Sequence, residues 1–65
     1  MYKYKVKMAD VRGLVRSVVL ERDHRVNTEN LMGEIVSHKW VGSTDDSNAV
    51  NMANIVEIVS ITEVE

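Results

Sequence analysis

Asn54–Glu65 reads NIVEIVSITEVE and sets the class of the whole chain. Seven of the ten residues from Ile55 to Val64 branch at Cβ: Ile55, Val56, Ile58, Val59, Ile61, Thr62 and Val64. Branching restricts χ1 and suits a pleated sheet better than a helix. Apolar residues fall at odd and even positions alike, the pattern of an interior strand with both faces covered. Glu57, Ser60 and Glu63 recur every third position, which would also draw a polar stripe along a helix. The branched side chains decide for strand.

Just before this stretch, Ala49–Met52 reads as a short strand and Ala53–Asn54 as the corner that leads into the closing one. Lys39–Gly42 (KWVG) is another short strand, and Ser43–Asn48 (STDDSN) a polar exposed loop. Before it, Asn27 or Thr28 caps a helix over Thr28–His38 with Leu31, Met32, Ile35 and Val36 on its apolar face. Glu29 suits the first turn of that helix, and His38 and Lys39 the last. Gly33 weakens it by up to about 1 kcal/mol relative to alanine, unless close packing on the sheet requires it.

At the other end, Tyr2–Met8 alternates with period two. Tyr2, Tyr4, Val6 and Met8 take one side; Lys3, Lys5 and Lys7 take the other and guard a sheet edge. Asp10–Gly13 (DVRG) is a turn in which Gly13 can adopt positive φ, and Leu14–Glu21 returns as a second strand. Val11, Leu14, Val15, Val18 and Val19 also match an amphipathic helix capped by Asp10, but Gly13 and four valines favour the hairpin. Glu21–Arg25 is a charged connector. The expected fold is one α+β domain over residues 1–65, a small antiparallel sheet with one helix in ββαββ order, its final stretch bent.

Sixty-five residues lie near the lower limit for independent folding. With no cysteine, disulfides and thiolate metal sites are excluded, and a reducing cytoplasm is the expected setting. Signal-peptide and membrane-span patterns are both missing, so a soluble chain with no membrane partner is expected. Twelve valines, one tryptophan, two tyrosines and no phenylalanine make a core of small branched side chains. Each contributes only about 1.5–3 kcal/mol when fully buried. Self-association as a homodimer or higher oligomer is therefore expected.

The net charge of −2 is unevenly spread. Residues 1–25 hold seven basic against three acidic side chains, and residues 26–65 one lysine against seven carboxylates. A basic surface can meet an anionic ligand, or a basic strand can simply pair beside an acidic one.

Chemistry has little support. His24 lies on the charged connector and His38 at a helix end, neither with a nucleophile or zinc-ligand spacing around it. Asp45–Asn48 lacks the alternation, glycine and distal glutamate of a calcium loop, and Gly42-Ser43-Thr44 lacks the rest of a phosphate loop. Alternation puts the YKYKVK tyrosines and lysines on opposite faces, where they cannot form a stacking platform for nucleic acid. No enzyme, metal or cofactor is expected.

What remains is binding. Trp40, beside His38 and Lys39, is either the largest core residue, which is the favoured reading, or a stacking platform for a planar ligand. Arg12, Arg16, Arg22 and Arg25 are the natural anion readers, because guanidinium forks match phosphate, although such residues are usually just solvated charge; Tyr4 is a second stacking candidate.

The ending VNMANIVEI, Val50–Ile58, resembles the strand, Asn corner and final strand that close many small accessory proteins of Firmicutes and their phages. The resemblance implies host takeover or counter-defence, in which such proteins block a host protein or sequester a signalling nucleotide as oligomers. The expected function is thus oligomeric capture of an anionic small ligand such as a nucleotide. Inhibition of a host protein comes second and nucleic-acid binding third.

Overall fold

The lysine-bearing strand near the N-terminus is the middle of the sheet, not its edge. The computed structural model describes residues 1–43 and 49–64. In chain order it holds β1 (Tyr2–Asp10), β2 (Val15–Arg22), α1 (Thr28–Val36), β3 (Trp40–Gly42), β4 (Ala49–Asn51), a 3-10 turn at Met52–Asn54 and β5 (Ile55–Val64). The order is β,β,α,β,β,β rather than ββαββ. One antiparallel sheet runs β2-β1-β5, and β3 and β4 form a separate two-stranded ribbon. The class, α+β with mostly antiparallel strands, is as expected.

Period-two alternation explains β1. Tyr4, Val6, Met8 and Asp10 are buried, while Lys5 and Lys7 lie exposed on the opposite face. Val18 and Leu20 extend the buried face across β2. Leu31 and Ile35 of α1, with Val41 and Val50 of the ribbon, close over it to complete the core. Tyr4 is 1% exposed and its hydroxyl oxygen accepts the Val26 amide at 2.9 Å. It is a core anchor, and the ligand-stacking role considered for it does not hold.

The β1–β2 connection is the hairpin. The Gly13 amide donates to the Asp10 carbonyl and the Asp10 amide to the Leu14 carbonyl, both at 2.9 Å, around the loop Val11-Arg12-Gly13. Gly13 has φ +84°, the left-handed residue that closes a three-residue hairpin loop. Asn27 caps α1 by accepting the Glu29 amide. The helix ends at Val36 with Ser37 as its cap and no basic residue in its last turn, so His38 and Lys39 lie beyond it. Most of the Ser43–Asn48 loop, 44–48, falls outside the described residues. Ser43 itself takes the Val19 amide at 3.1 Å, which occupies one donor on the outer edge of β2.

β5 departs most from expectation. It borders only β1, and none of its residues is buried. It is an edge strand, not an interior one. Two bulges account for its pattern: Lys7 pairs with Ser60 but Met8 with Ile58, and Ala9 pairs with Glu57 but Asp10 with Ile55. Val59 and Val56 are the extra residues, and each reverses the parity of the strand. Ile55, Ile58 and Ile61 therefore share the inner face although they are three apart. The same stepping produced the helix-like spacing of Glu57 and Ser60.

Candidate functional site

A polar cleft of about 370 Å³ opens where the β1–β2 turn meets the ribbon. Its lining includes Asp10, Arg12, Arg16, Trp40, Asn51 and Asn54, together with the apolar Val50 and Ile55. The volume lies at the lower end of the range for small-molecule sites, about 300–1,000 Å³.

Asp10 is the structural key. It is 5% exposed, the one buried charged residue among those described. Its Oδ1 accepts the amides of Arg12 at 2.9 Å and Leu14 at 3.0 Å, and its Oδ2 accepts Arg16 Nε at 3.4 Å. Burial pushes its pKa up, but the Leu14 and Arg12 amides and the Arg16 guanidinium outweigh that and hold the carboxyl below its ordinary value. The Asp10 carboxylate thus shapes the turn that carries Arg12 and steadies Arg16 through Nε. The Arg16 side chain remains 54% exposed, leaving its terminal nitrogens able to donate elsewhere. No described residue takes the Arg12 guanidinium. Two arginines against one carboxylate give the cleft a local charge of about +1.

Trp40 is 61% exposed, which overturns the core reading favoured from sequence. Trp40 lines this cleft and also a smaller depression lined by Arg22, Glu34, His38 and Gly42. Across the ribbon from Trp40 stands Asn51, whose side-chain oxygen accepts the Ala53 amide at 3.0 Å and starts the 3-10 turn. On the far side of the cleft, the Asn54 carbonyl accepts the Val11 amide at 2.9 Å and ties the hairpin turn to the start of β5.

The expected ligand set therefore divides. Arg12, Arg16 and Trp40 meet in one cleft. His38 and Arg22 lie in the neighbouring depression, where Arg22 is engaged by Glu34. Lys39 contributes its carbonyl to the Met52 amide, and its exposed side chain is not part of the cleft lining. Arg25 pairs with Glu63 at 3.5 Å and lies 5.4 Å from the centre of the Tyr2 ring. That is the opposite end of β1 from Asp10, roughly 25 Å away, too far for Arg25 to share a small ligand with Arg12. Asp10, Asn51 and Asn54 were missed. An Asp opening a turn that closes on Gly was the available signal for the first, since such carboxylates bind nearby backbone amides.

No group of three or more His, Cys, Asp or Glu that could hold a metal occurs among the described residues, and no described helix is long and apolar enough to cross a membrane. Fold and site together define a small α+β chain with an arginine- and tryptophan-lined cleft. No protein-family profile, curated protein or solved structure matches the chain.

Proposed function

We propose that this chain is a non-enzymatic binding protein for a planar anionic small molecule such as a nucleotide. Trp40 stacks on the ring, and Arg12 and the free edge of the Arg16 fork hold the anionic group. The observation that carries this reading is a largely exposed Trp40 bordering the same cleft as two arginines, one of them with no described partner. An exposed indole on a polar cleft has a poor stability rationale, whereas stacking on a planar ligand uses it fully. The Asn51 and Asn54 amides can supply the few further polar contacts that orient such a ligand. In the setting implied by the C-terminal resemblance, binding would sequester a host signalling nucleotide.

Titration with nucleoside monophosphates, triphosphates and cyclic dinucleotides, read by Trp40 fluorescence and melting temperature, tests the reading. Saturable quenching with a raised melting temperature supports it, because a ligand selective for the native state stabilises that state. Silence across the panel, or a response that survives loss of both Arg12 and Arg16, overturns it.

A further inference from the structure

A second surface adjoins the arginine cleft, with Ile55 in the lining of both. α1 and β5 border an apolar groove of about 390 Å³, lined by Met32 and Val36 of the helix and by Ile55, Val56, Glu57 and Ile58 of the strand. Val36 is 60% and Val56 67% exposed, and β5 has a strand neighbour on one side only. We propose that β5 and α1 form a docking groove for an extended segment of a partner protein that alternates apolar with basic residues.

An unpaired strand edge presents a row of donors and acceptors that another extended chain can satisfy, and natural proteins seldom leave a long apolar edge uncovered. An added strand sends every second side chain toward the same face, here into the space between β5 and α1. Main-chain bonds supply affinity and the groove supplies selectivity. Two methionines, Met32 and Met52, line the groove and can adapt to side chains of different shape.

Charge then selects the occupant. β5 carries Glu57 and Glu63 and no basic residue. Glu63 is held by Arg25, whereas no described cation pairs with Glu57, which lines the groove itself. A basic residue in the incoming strand supplies that missing partner. A second copy of β5 would bring further glutamates instead.

The test uses short fluorescein-labelled peptides alternating valine with lysine, with valine–glutamate and N-methylated valine–lysine peptides beside them, read by fluorescence anisotropy. Binding of the lysine peptide alone, weakened about tenfold by Val36→Asp or Val56→Asp through lost apolar contact, supports the proposal. New amide-exchange protection in β5 of the unmodified protein gives the same answer without a variant. Trp40→Ala should leave this binding unchanged, which separates the groove from the arginine cleft. Equal binding of the glutamate or N-methylated peptide, no binding of the lysine peptide, or a self-dimer that Val56→Asp dissociates, each overturns it.

Discussion

The phenolic oxygen of Tyr4 accepts the Val26 amide hydrogen at 2.9 Å, fastening the central strand to the segment that leads into α1. Tyr4→Phe keeps the ring but strands the amide. It should cost about 1–2 kcal/mol in urea unfolding and leave ligand response at the Trp40 cleft intact.

The glycines in α1 and the hairpin loop should respond in opposite directions. A Cβ built on Gly33 meets nothing within 4 Å, so neither the sheet nor any neighbour requires glycine there. Gly33→Ala is expected to stabilise the protein by about 0.5–1 kcal/mol. Gly13 has as much space, but its φ of +84° is left-handed. Gly13→Ala should cost about 1–2 kcal/mol. Thermal or urea melts of the pair decide the matter, and equal effects would contradict the hairpin geometry.

Acid should weaken the protein partly through Asp10. Its folded pKa lies below the ordinary 3.8. The stability it contributes is thus fully present above that value and is lost as pH falls through the lower, folded value. Asp10→Asn should be less stable than the parent at neutral pH, and the gap should close in strong acid. Urea midpoints for both proteins down that pH range provide the check; a constant gap would assign the loss to other carboxylates.

At the cleft, charge, fork and ring are separable. Trp40→Ala should change stability by no more than about 0.5 kcal/mol, since the ring is exposed, yet abolish nucleotide-dependent stabilisation. Arg16→Lys retains the charge but loses the planar fork and its bond to Asp10, so affinity should fall about tenfold. Arg25→Ala, at the far end of β1, should leave affinity unchanged. Calorimetric titration of the three variants measures each effect.

Much of the secondary structure was legible because local chemistry wrote it. The alternation of Tyr4, Val6 and Met8 with lysines marked β1, Gly13 marked the hairpin, and the Asn27-Thr28 pair marked the start of α1, with Asn27 proving to be the cap. The placement of strands within the sheet was not legible. Lysines on one face of β1 look the same whether that strand lies at an edge or between two neighbours. The bulges at Val56 and Val59 made β5 imitate a strand covered on both faces. Trp40 misled for a related reason: its size argued for burial, but position in a three-residue ribbon strand, with Val41 turned inward, left the indole outside. The sequence named Arg12, Arg16, Arg22 and Arg25 alike, with nothing to show that only the first two share a cleft with Trp40, and Asp10 became visible only once its two amide bonds and the Arg16 contact were on view.

The pairing of Lys3 with Val64 joins residues 61 positions apart in the sequence (64 − 3). During synthesis the first strand is made early, yet one of its flanks stays bare until the last strand exists. Such a topology delays its reward, because a large loop must close before the central contacts gain from it. Formation of the native sheet is therefore a late, cooperative event, and a nascent or truncated chain would offer β1 to whatever strand arrived first.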